Sequence, residues 1–150
     1  MTLKQFLTGK YYTAVKLTKS KTGHLYLDVT INKAKGLFIL DTGASATAIE
    51  MSKKDHFHLS SKAGKQNASG AGAGDIYVEI AKGCHVQLGK YFCTGAELVL
   101  MDLSHVNKAL SNEKSPRIDG IIGSDILFKA SSIIDYKNLG LFLKKDSKKE

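Results

Sequence analysis

One carboxylate stands out by its setting. Phe38-Ile39-Leu40 runs into Asp41, and Thr42, Gly43, Ala44 and Ser45 follow. An apolar strand that stops at an acid must present that acid at its end, beside apolar walls. A carboxylate so placed can exchange a proton with a reacting water. Gly43 lets the backbone turn tightly beneath it, and its bare amide can approach the carboxylate. Thr42 offers a hydroxyl that can lock the turn. The same three residues are also ordinary turn chemistry, an Asx-type turn at a strand end. The apolar residues before Asp41 and the small residues after it tip the reading toward a site.

A second segment lies about 80 residues later: Ile118-Asp119-Gly120-Ile121-Ile122-Gly123-Ser124-Asp125-Ile126-Leu127. Alone it reads as a strand that turns at glycine into a short helix. Other chemistries find no footing. His56 and His58 are i, i+2, and His24, His85 and His105 are scattered, so no metal-ligand spacing is present. Gly70-Ala71-Gly72-Ala73-Gly74-Asp75 lacks the Gly-Lys-Ser/Thr ending of a phosphate loop. There is no Gly-x-Ser-x-Gly elbow. No cofactor is expected.

The elements that would position Asp41 are mostly strands. His24 to Ile31 alternates, with Leu25, Leu27, Val29 and Ile31 on one face and His24, Tyr26, Asp28 and Thr30 on the other. Asn32 to Gly36 supplies a turn, and Leu37 to Leu40 reads as a strand buried on both faces. Tyr11 to Leu17, Ile76-Val78-Ile80, His85 to Leu88 and Tyr91 to Met101 continue the strand pattern. Ile133 to Tyr136 and Leu139 to Leu143 form a closing hairpin, and the latter strand is expected at an interface or a barrel edge. Short helices are expected at Met51 to Phe57 and at Ser124 to Lys129, the latter capped by Gly123 or Ser124. A turn at Gly89-Lys90 would pair Leu88 with Tyr91, setting Cys84 opposite Gly95 and Cys93 opposite Val86 as free thiols.

Size and charge bound the rest. A chain of 150 residues suits one domain, residues 1–150, with 1–10 and 144–150 as peripheral tails. Apolar residues at 43% and charged residues at 24% give globular composition. The longest apolar runs are too short to cross a bilayer, so no membrane partner is expected. The formal net charge is +8, from 22 basic and 14 acidic side chains, but Arg117 is the single arginine. Lysine lacks the bidentate fork that reads phosphates and bases, so no nucleic-acid partner is expected. The start of the chain lacks the apolar stretch of a signal peptide. That suggests a cytoplasmic protein, or a periplasmic one if a leader has been removed.

Taken together, Asp41-Thr42-Gly43-Ala44-Ser45 and Ile121-Ile122-Gly123 make this sequence resemble the retropepsin-like aspartic proteases. The similarity is to their single-domain bacterial members and runs from about His24 to Leu143. It implies an all-β, acid-protease closed barrel with one short C-terminal helix. It also implies that the Ile-Ile-Gly segment passes beneath the loop of Asp41. Retroviral members often carry a paired Asp and Arg where this chain has Ser45 and Ser124, so both charges are absent together. The resemblance assigns Asp41, Thr42 and Gly43 to catalysis. It assigns Ala44, Gly70, Gly72 and Gly74 to substrate binding, the glycines at or beside a flap. Tyr77 is the nearest aromatic to that flap.

Such hydrolysis needs two carboxyls that share a proton. This chain has one Asp-Thr-Gly and no internal repeat, and the resemblance gives Asp119 and Asp125 structural duties. The second acid would then be Asp41 of another copy, in a homodimer acting on a peptide or protein substrate. Two other readings remain: a proteolytically silent peptide-binding module of the same fold, and a basic barrel that binds acidic polymers.

Overall fold

Alternating side chains place one face of each strand in a shared interior. The computed structural model describes residues 1–64 and 76–146. Helix α1 (Leu3–Thr8) precedes strands β1 (Tyr12–Lys16), β2 (Thr18–Lys19), β3 (Leu25–Ile31), β4 (Ala34–Leu40) and β5 (Ala48–Glu50). A 3₁₀ turn (Met51–Lys53) leads to β6 (Ser61–Ala63), β7 (Glu79–Leu88) and β8 (Tyr91–Met101). Helix α2 (Ser104–Asn112), β9 (Gly120–Ile122), helix α3 (Ser124–Lys129), β10 (Ile133–Asp135) and β11 (Gly140–Lys144) follow.

The strand order β3-β4-β9-β5-β8-β7 returns to β3 through a β3–β7 pairing, which closes a six-stranded barrel. Closure removes the unpaired edges that an open sheet would expose. Pairing is parallel for β4–β9 and β5–β8 and antiparallel for the other pairs. Leu25, Leu27, Val29 and Ile31 all point into the core, as their alternation requires. Phe38 meets Phe57 there edge to face, with centroids 6.0 Å apart.

The opposite face of β3 departs from expectation. Tyr26, on the polar side of the pattern, is buried, because α2 covers it. Leu110 of α2 and Ile118 pack with Tyr26 and Ile39 in a second, outer cluster. The buried Tyr26 hydroxyl donates to the Pro116 carbonyl at 2.8 Å, so its polar end is satisfied.

Other expectations are corrected. Among the described residues there are three α-helices, of which α3 alone was expected. The presumed helix at Met51 to Phe57 is a 3₁₀ turn followed by irregular turns, with His58 at φ +54°. Within residues 1–10, α1 carries a capping box between Thr2 and Gln5 and buries Leu7. Residues 144 and 145 are tied down by bonds from their amides to the Ala130 and Tyr11 carbonyls, both 2.8 Å. The strand at Leu139 to Leu143 is not an edge. β11 runs between β1 and β10 in a separate three-stranded sheet, with Leu141 and Leu143 fully buried.

The β7–β8 hairpin pairs Leu88 with Tyr91 and Val86 with Cys93, as the turn implied. Cys84, however, faces Ala96 and not Gly95. Register shifts flank Cys84, and Gly95 at φ +71° takes up an extra residue that an L side chain would resist. Both thiols are buried and free.

Glu50 closes β5 as a carboxylate only 5% exposed. Burial favours its neutral form. The Ser52 hydroxyl, the Leu103 amide at 3.0 Å and the Ser52 amide at 2.7 Å outweigh this and hold it below the ordinary glutamate value. The stabilisation is complete above that ordinary value and is lost as pH falls through it toward the folded one. Glu50→Gln would turn an NH₂ group toward these donors. It should cost about 1–3 kcal/mol at neutral pH and much less in acid, read by urea unfolding at both pH values. An equal loss at both would show that charge plays no part.

Candidate active site

The site is built from where β4 ends. Leu40 pairs in parallel with Ile122, and the Asp41 amide donates to the Ile122 carbonyl at 2.9 Å. The chain then turns: the Ala44 amide donates to the Asp41 carbonyl at 3.2 Å. Inside that turn the Gly43 amide donates to Asp41 Oδ1 at 2.9 Å, which orients the carboxylate. Asp41, Thr42 and Gly43 are all exposed, and Ala44 is half-buried. The expectation of apolar walls around Asp41 is therefore not met within one chain.

Beneath this loop runs the β9–α3 junction. The Ser124 amide donates to the Ala44 carbonyl at 2.7 Å. Gly123 sits so close that a Cβ there would meet the Ala46 and Ala44 carbonyl oxygens at 2.7 and 2.8 Å. No larger residue fits without moving backbone.

Thr47 clamps the two segments together, and sequence reasoning missed it. Fully buried, its hydroxyl donates to Asp125 Oδ1 at 2.8 Å and accepts from the Gly123 amide at 3.1 Å. Its own amide donates to Asp125 Oδ2 at 3.1 Å. The only hint in the sequence is a β-branched hydroxyl residue between two alanines.

Both other candidate acids are occupied. Asp125 holds Thr47. Asp119 accepts the Leu37 amide at 3.0 Å and lies 3.7 Å from the Lys53 ammonium. Its backbone also bridges Leu37 and Glu50. Asp41 differs from both: among the described residues its carboxylate bonds only within its own turn, and it is exposed. Among the described residues, no cluster of three or more His, Cys, Asp or Glu could hold a metal ion. No described helix is long and apolar enough to cross a membrane.

A family model described as aspartyl protease matches residues 27–126, which span Asp41, the 41–47 loop and the Gly123 junction. The chain belongs to the aspartyl protease family. Solved structures share its fold. A retropepsin-like aspartic protease from Rickettsia conorii is similar with a TM-score of 0.61 and 17% identity, over 89% of this chain and 92% of that one. The EIAV protease complexed with the inhibitor HBY-793 aligns with a TM-score of 0.57 and 17% identity, over 79% and 98%. The retroviral protease-like domain of Ddi1 from Leishmania major gives 0.53 and 18%, over 83% and 97%. No curated protein matches the sequence.

Gly70, Gly72 and Gly74 lie outside the described residues. The strands on either side of that segment are described. β6 pairs antiparallel with β7, and the Gly64 amide donates to the Val78 carbonyl at 2.9 Å. Glu79 ties this base together. It accepts from the Ser61 hydroxyl at 2.5 Å, the Tyr77 hydroxyl at 2.6 Å and the Lys54 ammonium at 3.1 Å. These donors, Ser61 foremost, pull its carboxyl down to about 2. Tyr77 itself is exposed and bound to Glu79.

Two substitutions test the clamp. Gly123→Ala should destabilise by about 1–3 kcal/mol, because carbonyl oxygens cannot swing aside as a side chain can. Thr47→Val should cost about 1–3 kcal/mol by leaving the Asp125 carboxylate and the Gly123 amide short of a partner. Urea midpoints measure both, and unchanged midpoints would remove the clamp.

Proposed function

We propose that this protein is an aspartic endopeptidase whose active unit is a homodimer. The observation that carries the reading is the contrast among its acids. Of the three candidate acids, Asp119 and Asp125 are bound into the scaffold, whereas Asp41 is held outward on a braced loop. Metal-independent hydrolysis through a water needs one carboxyl to accept a proton and another to donate one. A single chain offers one such group. A two-fold axis beside Asp41 would bring a second copy of the same residue to meet it.

In this reading the two Asp41 carboxyls share one proton, because neighbouring carboxyls about 3 Å apart cannot both ionise. The ionised member takes a proton from the water as it attacks the peptide carbonyl. The protonated member gives its proton to the carbonyl oxygen. Collapse of the tetrahedral intermediate then passes a proton to the leaving amine. Gly43 fixes the carboxylate through its amide, and Thr42, exposed beside it, would brace the paired loops. Ala44 and the glycines at 70, 72 and 74 would contact the substrate, with the glycine segment acting as a flap. Association would also give Asp41 the apolar enclosure that one chain lacks. The free Cys84 and Cys93 suit a reducing compartment such as the cytoplasm.

Asp41→Asn should leave the unfolding midpoint nearly unchanged and lower peptide hydrolysis by at least about 10²–10⁴-fold. Activity per chain of the wild type should rise with protein concentration through the dimer dissociation constant. Full activity in a species that sediments as a monomer would overturn the dimer. Turnover retained in Asp41→Asn would overturn the assignment of the acid.

A further inference from the structure

A cleft lies away from Asp41, between β2, β3 and the loop that joins α2 to β9. Its volume is about 520 Å³. Four lysines stand on it: Lys16, Lys19, Lys21 and Lys114. All four are exposed, and none lies within ion-pair distance of Asp28, the one acid of the cleft. The lining thus carries a formal +4 against −1, a local excess of three positive charges.

The fold makes this concentration. Leu17 is 1% exposed and turned into the core, so its neighbours Lys16 and Thr18 must face out. β2 then pairs Thr18 with Tyr26 and Lys19 with Leu25, which lays the lysines along the edge of β3. From the other side, Lys114 follows α2 at φ +55°. Residues nearly 100 positions apart in sequence thereby share one wall.

Below the lysines the surface changes character. Tyr26, Leu37 and Pro116 give it an apolar floor. At its edge Ser115 is 9% exposed, and its hydroxyl lies 3.3 Å from the Thr22 hydroxyl and beside that of Tyr26. Cations above an apolar floor, with a hydroxyl at the edge, match a peptide that carries carboxylates and aliphatic side chains. Lysine pairs with carboxylate or phosphate alike as a point charge, so it is the apolar floor that favours an acidic peptide over a free phosphate.

We propose that this cleft is an exosite that binds an acidic segment of the protein substrate. The proposal rests on the endopeptidase reading for the word substrate, though not for the ligand chemistry. Leu37 lies four residues before Asp41 on β4, roughly 13 Å along a strand. A chain held at Asp41 would reach the lysines with residues several positions from the scissile bond. Such a site would raise the effective concentration of acidic substrates without touching the reacting atoms.

The test is direct binding of fluorescein-labelled hexaglutamate to the full chain, read by anisotropy at low salt. The double substitution Lys19→Glu with Lys114→Glu should weaken binding at least about 10-fold, and raising salt should weaken the wild type, since exposed charges are screened. A control that makes the same charge change elsewhere, Lys35→Glu with Lys82→Glu, should weaken it less than about 3-fold, as long-range attraction alone would. Equal losses in both doubles, or none in the first, would overturn the exosite. Inorganic pyrophosphate binding at least about 10-fold tighter than hexaglutamate would overturn it in favour of a phosphate site. This readout needs no turnover, so an inactive protein would sink the endopeptidase reading and leave the cleft's ligand class standing. In an active protein, a Glu-rich extension on a peptide substrate should lower KM with kcat unchanged, and the Lys19/Lys114 double should abolish that gain.

Discussion

The close passage of the Gly123 backbone beneath the loop of Asp41 is the constraint on which the site depends. Hydrogen bonds cross that junction from Asp41 to Ile122, from Ser124 to Ala44, and from Gly123 to Thr47. They are short enough that no side chain can stand between the segments. A turn of small residues has little packing of its own to hold it. Here β4, β9 and α3 fix it from below, and the barrel fixes them through Phe38, Ile122 and Ile126 in the core. The precision of one exposed carboxylate therefore derives from buried backbone contacts.

The acids of this chain are sorted by environment. Asp119, Asp125 and Glu50 join separate elements by accepting amide or hydroxyl protons, and each removes an orphan donor from the interior. Buried donors without partners cost more than a typical hydrogen bond gains, which explains why a small barrel retains these charges. Glu79 does the same work at the base of β6 and β7. Asp41 remains the acid that the scaffold positions without consuming.

The lysines follow a different logic. They are spread through the sequence, and as composition they say little beyond net charge. Folding gathers Lys16, Lys19 and Lys21 from the β1–β2 region and Lys114 from beyond α2 around one apolar floor. Like charges repel, so an unpaired group of this kind is a net cost to the free protein that an anionic ligand would offset.

The sequence by itself marked an all-β barrel or sandwich, its closed form through the likeness of two motifs, and Asp41 as the candidate acid. Strands leave a period-two trace, so Leu25 to Ile31 could be assigned to a core face from residue types alone. Asp41-Thr42-Gly43 and Ile-Ile-Gly are local motifs whose glycines are legible because few residues can replace them. Two helices went unread although their signals were present: Thr2 and Gln5 form a capping box, and Leu103, Val106 and Leu110 recur at helical spacing. Both elements are short, and their apolar residues gain meaning only from what they cover. Tertiary structure alone decided the burial of Tyr26, the central place of β11, the bulge that moved Cys84 opposite Ala96, and the joining of Thr47 to Asp125. Each depends on contacts between distant segments, and a linear pattern carries no record of which faces meet. The exposure of Asp41 is the sharpest case. Its strand foretold an acid at an apolar rim, but the walls around a rim are supplied by whatever packs against it, and one folded chain leaves that side open.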